Sequence, residues 1–518
     1  MANGAGAHRH VESCCRCLAT GAFLLVLACS ADRRDRPSAT QAGSGGMSAS
    51  VATGGSAAIG TDGATSSMNS TSDAGPSGHG RSAAVDASIA VPTTDAGAVP
   101  PLPTPGDLPA GWSQVQPWID PVNGYHGGGE PAVAVDSHGT GHVLFGFGDD
   151  GVTTARVDRD ANWSMTEVVG EHPRGTGELA VALAADDSGF AIGTCYQGQA
   201  EAFSHTPNGD WVALGELGPT TMGHTGQPKL ALGPAGTAFA IWLECDSEDT
   251  ALVRVARFDG SSWGEAQVLD PKTYCTFAYP SIGADGKGRA VAVWRASETL
   301  DALHDHVAAS YYDGTSWNAP EVISGEAPVH AYPNVAMDSD GHAIALSAHE
   351  VEEAMHFHPD TGWEPPIAIG TAGADNGQGQ VAFDTQGRAI AIWGEIPELK
   401  NTRLIARQYD QANGWGEPIQ ITHPASRSGY TTLAMNRSGR AIAAWWVDSE
   451  IRPFEIWASL YDPETGWQDA AFVYEGEASS AAAFSTAINA SGQIVIGFMS
   501  WFGDQTKTGV YAIAYSPP

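Results

Sequence analysis

From about residue 130 onward, apolar and polar positions alternate in short runs. In one of them Ala290 and Ala292 alternate with Val291 and Val293 before the run ends on Trp294. A period of two is that of a β-strand. The runs belong to a longer phrase, Pro-x-Val-Ala-x-Asp-x-x-Gly-x-Ala-x-Ala-x-Trp, which recurs eight times. Its turn glycines read as Gly139, Gly189, Gly236, Gly288, Gly341, Gly387, Gly439 and Gly492, spaced 46 to 53 residues apart. In the fourth repeat the pattern predicts strands over 280–285, 289–294, 307–313 and 317–323. Four short strands per repeat predict an all-β fold, an eight-bladed β-propeller with four-stranded blades.

The eighth repeat stops at Tyr515-Ser516-Pro517-Pro518, before its last strand. The phrase it lacks stands at the other end of the domain, as Gly111-Trp112-Ser113-Gln114-Val115-Gln116-Pro117-Trp118-Ile119. An N-terminal strand is therefore expected to complete the last blade and leave no open edge there. A seven-bladed ring with a divergent extra hairpin is the alternative. The Asp-x-x-Gly phrases at Asp136, Asp338 and Asp384, with Asn436 and Asn489 in the same slot, have the spacing of a tight hairpin. There the Asx side chain caps the turn and glycine takes positive φ, which accounts for the acids without calcium.

The start of the chain is of another kind. Arg9 and Arg16 precede an apolar run over 18–28, too short for a membrane-spanning helix. The run ends Val26-Leu27-Ala28-Cys29 and resembles a bacterial lipoprotein signal. That resemblance implies removal of residues 1–28 and lipidation of Cys29. With Ser30 where the family's inner-membrane retention signal has Asp, it implies an outer-membrane or cell-surface destination. Residues 29–110 are rich in Gly, Ser, Ala, Thr and Pro and hold no Phe, Trp or Tyr. Such a segment cannot bury enough apolar surface to offset its ordering entropy, so a disordered tether is expected, with ends on the order of 50 Å apart. The propeller is assigned to 111–518.

Charge narrows the partners. The chain has net charge −34; the signal carries +1 and the tether −3, leaving the head at −32. So acidic a surface repels nucleic acid and anionic lipid, and membrane contact is expected through the lipid anchor only. Nothing in the sequence calls for oligomerisation, so a monomer is expected. Of the head's three cysteines, Cys195, Cys245 and Cys275, two can pair, and sequence leaves all three pairings open. Repeat position favours Cys245–Cys275, since both map to one face of the ring.

The repeats also resemble sialidase-type propellers with Asp-box repeats. Phe258-Asp259-Gly260-Ser261-Ser262-Trp263 and Tyr312-Asp313-Gly314-Thr315-Ser316-Trp317 are similar to that family's box, a structural turn, but one residue short between Asp and Trp. Glu130-Pro131 is similar to the family's Arg-Ile-Pro opening, with Gly129-Glu130 where the carboxylate-binding arginine would stand. Glu130 would repel the anion that a bidentate cation recognises. Arg174, Arg295, Arg427 and Arg452 could reach the same face, without a pattern that places them as a triad. The resemblance thus implies the fold without sialidase activity.

The candidate site is the residue just before the first strand of each repeat: Glu130, Gln227, Tyr279, Tyr332, Gln378 and Tyr430, with Ala180 and Ala483 in repeats two and eight. First strands are innermost in a propeller, so these residues should ring the channel mouth, with Tyr125, His126, His224, His330 and His423 in the same connections. Tyr, Gln and His without metal spacing suit a neutral polar ligand such as a sugar; the competing reading is that they fill the channel. A second set, Phe145, Trp242, Trp294, Trp393, Trp445 and Phe498, recurs at the end of the second strand and is expected to pack between blades. Trp446, Trp501 and Phe502 break the repeat in longer loops and are read as exposed sugar-stacking platforms. The long second-to-third-strand connections over 298–306 and 448–453 are also non-repeating, and function is expected in such departures from the repeat. No nucleophile elbow, Ser/His/Asp constellation, His-Glu-x-x-His, P-loop or dinucleotide fingerprint is present, and no catalytic residue, metal or cofactor is assigned. Glu130, Glu178 and Asp375 leave room for an acid pair, although 51 acids in the head make some pair an expected coincidence. The sequence therefore points to a non-catalytic binding module for a surface glycan. A protein-interaction scaffold of the cell envelope and a divergent glycoside hydrolase are the alternatives.

Overall fold

The computed structural model describes residues 108–518 except 118–130, 147–150, 170–175, 196–197, 219–222, 247–249, 276–277, 298–304, 326–331, 349–350, 373–374, 397–401, 423–429, 450–451, 477–479 and 503–506. Eight antiparallel sheets form eight blades. Their first strands are Ala132–Val135, Thr176–Leu183, His224–Leu232, Ser281–Ala284, Asn334–Met337, Asp375–Phe383, Thr431–Met435 and Ser480–Ile488. These touch one another in cyclic order, blade 8 returning to blade 1, so they line the centre of a closed ring. In blades 5, 6 and 7 the fourth strand pairs in two pieces. Pro365-Pro366 and Pro418, which have no N–H for the ladder, stand in the gap in blades 5 and 6, while blade 7 has Gln468-Asp469-Ala470 there.

The alternation seen in the sequence separates two buried faces. In the second strand of blade 4, Ala290, Ala292 and Trp294 pack against Phe239, Ile241 and Leu243 of blade 3. The intervening Val291 and Val293 pack against Val335, Met337, Ala343 and Ala345 of blade 5. Blades 5 and 6 repeat the arrangement, Ile344 and Leu346 meeting Ala389, Ala391 and Trp393. A face of small residues with a single large aromatic thus receives a face of bulky aliphatics, which keeps neighbouring blades close-packed. The aromatics ending the second strands are buried at 0–1% exposure, as inter-blade packing requires.

The ring closes through the N-terminal strand. Gln116–Pro117 pairs with the third strand of blade 8, Gln116 opposite Ala512 and Pro117 opposite Tyr511. Trp112 bridges Tyr515 and joins the cluster between blades 7 and 8. Eight blades result, and the seven-bladed alternative is excluded. The Asx residues cap their turns as expected: Asp136 Oδ1 accepts the N–H groups of His138 at 2.9 Å and Thr140 at 2.8 Å. They also join turns around the ring, Asn436 Nδ2 donating to Asn489 O and Asn489 Nδ2 to Asp136 O.

Blade 2 departs from the sequence reading. Its positive-φ turn residue is Asp187 (φ 63), and Gly189 instead begins the second strand. Ala184 takes the Asx slot, its carbonyl accepting the Asp187 N–H at 3.0 Å. The Asp187 carboxylate accepts both the N–H and the hydroxyl of Ser137 at 2.6 Å from blade 1, a contact glycine could not make. Counted from the true turn, the position before the first strand in blade 2 is Glu178, not Ala180.

Trp294 is fully buried and its indole N–H donates to Asp270 Oδ2 at 2.9 Å. Trp294→Ala is expected to cost about 3–5 kcal/mol, read as a fall in the denaturant midpoint. Removing residues 1–117 should lower the thermal midpoint relative to removing 1–107 and promote self-association, because it bares the outer edge of blade 8; calorimetry and light scattering check both effects.

Candidate functional site

The first strands start, the second strands end and the third strands start at one face of the ring, which we term the upper face. Here four inner strands carry a bulge, with register shifts at Thr176/Leu179, Gly226/Lys229, Gly377/Gln380 and Ala482/Phe484. Gln227 and Gln378 therefore lie within extended first strands instead of before them. Gln227 and Tyr279 hold φ of 52° and 42°, a left-handed conformation uncommon outside glycine.

Side chains of one blade hold this backbone in the next. The Gln227 N–H donates to Glu178 Oε2 at 2.6 Å, and the Tyr279 N–H donates to Gln227 Oε1 at 2.8 Å. The Gln227 amide also donates to Cys275 O at 3.3 Å. Both ends of the Gln227 side chain are thus engaged in structure, which removes it from the expected ligand set. Deeper in the ring the pattern continues, with Val335 N–H to Ser281 Oγ, Val381 N–H to Asn334 Oδ1, Leu433 N–H to Gln380 Oε1 and Val133 N–H to Ser485 Oγ. Burial pushes the Glu178 carboxyl up from its ordinary value against the opposing pull of Lys229.

The aromatic members come together. The Tyr279 and Tyr332 rings meet edge to face with centroids 3.8 Å apart. Burial raises the Tyr279 phenol, and the Tyr332 and Tyr430 hydroxyls act on it in the same direction. Tyr430 is 36% exposed and stacks on Trp446 at 5.7 Å and 23°. Trp446 belongs to the second strand Ala441–Ser449, not to a long loop, and the hairpin closes with Ser449 opposite Arg452. Trp501 and Phe502 likewise extend the second strand Ile494–Phe502 of blade 8, their side chains lying outside the described set. The Gln378 side chain, Cys29, Glu130 and His330 also lie outside it. Arg295 is buried and paired with Asp305, so it is engaged within its own blade.

Cys245 and Cys275 are joined by a disulfide with Cα atoms 5.9 Å apart, tying the second strand of blade 3 to the end of its fourth.

Several buried polar groups gave no signal in the sequence. Glu352, at the start of a third strand, is 0% exposed, and neither carboxylate oxygen has a hydrogen-bond partner among the described residues. Its Oε1 occupies the space a side chain on Gly379 would need, at the bulge beside Gln378. Nearby Glu395 is satisfied by Thr371 N–H, the Trp393 indole and Arg403. Burial, and then the charges of Glu395 and Glu353, raise the Glu352 carboxyl from 4.5 to about 8. On the opposite face, His142 and His205 are buried with ring centroids 4.6 Å apart. Trp211 Nε1–H donates to His142 Nδ1 at 3.3 Å, which puts the neutral ring's proton on Nε2, toward Asp136 Oδ2 at 3.5 Å. Burial, reinforced by His205, lowers His142 to about 4.

No family model and no curated protein matches the chain. Solved structures to which it is similar include a polysaccharide lyase of family PL25, an ulvan lyase bound to -[GlcA(1-4)Rha3S]-, at 10% identity over 75% of this chain and 93% of that one, with a TM-score of 0.43. A protein of unknown function from Dyadobacter fermentans is 11% identical over 78% and 99%, TM-score 0.41. A leech intramolecular trans-sialidase complexed with 2,7-anhydro-Neu5Ac is 8% identical over 78% and 93%, TM-score 0.39.

The native state favours protonated Glu352, so its contribution to stability is complete below pH 4.5 and lost as pH rises through about 8. Glu352→Gln, which stays neutral, should match the parent at pH 5 and exceed it at pH 9 by on the order of 2–4 kcal/mol in chemical denaturation.

Proposed function

We propose that this chain is an exported, lipid-anchored binding module that recognises a neutral saccharide at the upper channel mouth, without turning it over. The observation that carries the reading is the exposed Tyr430 ring stacked on Trp446, in electrostatic reach of the Tyr279–Tyr332 pair. Aromatic faces beside phenol hydroxyls suit the apolar faces and hydroxyl edges of a sugar ring. The acidic head and the engagement of Arg295 by Asp305 disfavour a polyanionic ligand. Anchoring rests on the run ending Ala28-Cys29 and implies the outer membrane or cell surface, with the head acting as a monomer.

The test is binding of the full chain to an array of neutral and charged glycans, followed by titration of the best hit. Tyr430→Ala and Tyr332→Ala are each expected to weaken binding by about tenfold or more, with near-native melting. A well-folded sample that binds no glycan would sink the reading in favour of an envelope protein partner. Product formation on a bound glycan would replace the module with a hydrolase.

A further inference from the structure

The disulfide of blade 3 has a third potential ligand beside it. His224 opens the first strand of the blade and stands opposite Cys245 in the ladder. One ring nitrogen of His224 and the sulfurs of Cys245 and Cys275 all lie within 4.8 Å of one another. Three different segments of the blade deliver them: the start of the first strand, the end of the second and the end of the fourth. Among the described residues this is the only group of three or more His, Cys, Asp or Glu side chains so gathered, in a head that holds 51 acids. The set is therefore not a by-product of acidic composition.

We propose that His224, Cys245 and Cys275 form a site with two states, a disulfide when oxidised and a three-ligand zinc site when reduced. Two thiolates and an imidazole are a borderline-soft donor set that suits zinc and leaves its fourth tetrahedral position open to water or another small ligand. Entering the second state requires a thiol or phosphine reductant. With a thiol, the disulfide takes two electrons and two protons, giving two Cys–SH groups while two reductant thiols become a disulfide. Zinc then displaces one proton from each thiol, and the neutral imidazole binds without proton loss. Thiolates at about 2.3 Å from a tetrahedral zinc stand about 3.8 Å apart. A Cα separation of 5.9 Å lets side-chain rotation reach that spacing without moving either strand.

The site also has a route to the channel mouth. The Cys275 carbonyl accepts from the Gln227 amide, whose other end holds the strained backbone of Tyr279. The state of the sulfurs thus bears on the same turn that presents Tyr279. The inference itself does not depend on saccharide binding, and its test uses no saccharide.

The experiment uses the full chain with the other five cysteines, Cys14, Cys15, Cys17, Cys29 and Cys195, replaced by serine. The protein is compared oxidised and after anaerobic reduction with a phosphine, titrating zinc against a chromophoric chelator and cobalt(II) by absorption. Reduced protein should bind one zinc at least about 100-fold more tightly than oxidised protein, and cobalt should show thiolate charge-transfer and tetrahedral d–d bands. His224→Ala should weaken zinc by about tenfold or more, and Cys245→Ser with Cys275→Ser should abolish it. Equal zinc affinity in the two redox states, or cobalt spectra without thiolate bands, would overturn the proposal. So would loss of the native near-ultraviolet signal on reduction that zinc does not restore.

Discussion

The innermost strand of every blade is an edge strand. On its channel side no further strand exists to take its N–H groups, and an unpaired edge buried in a ring is costly. The structure meets this constraint with side chains from the preceding blade, through Glu178, Gln227, Ser281, Asn334, Gln380 and Ser485. These bonds run in one rotational sense across six of the eight interfaces, a blade supplying the acceptor to the next. They join neighbouring blades at the centre, and packing of the large and small faces joins them further out.

The same bonds explain why the polar residues of the mouth are poor guides to a ligand. Gln227 has the composition of a binding residue and the connectivity of a structural one, both ends of its amide being engaged by backbone. Tyr430 is better placed, since its ring stays 36% exposed while stacked on the half-buried Trp446. Glu352 is a third case. Its carbonyl accepts from the Ile369 and Gly370 N–H groups, but its carboxyl has no partner among the described residues, and burial beside Glu395 and Glu353 favours the protonated form.

Most of the fold was legible because it is repetitive. Eight copies of one alternating phrase give strand number, order and burial, and the displaced Trp112 phrase gives the closure. The error in blade 2 arose where one residue left the consensus: Asp187 took the glycine's conformation, and counting from Gly189 hid Glu178. Strand lengths at the upper face were missed because bulges carry no periodic signature. That placed Trp446 and Trp501 in loops, although both continue second strands. The site was legible only as a set of positions. Which members are engaged depends on side chains from other blades, about 50 residues away in sequence.

The seam in blade 8 has a consequence for how such a molecule is made. Ala514 N–H donates to Ser113 Oγ across 401 residues of chain. The strand that leaves the ribosome first must wait unpaired until the last has followed it, and a chain cut short of Lys507–Tyr515 has nothing for it to join. Ring closure therefore couples the two ends of the domain: without Lys507–Tyr515 the seam strand has no partner and blade 8 keeps an open edge.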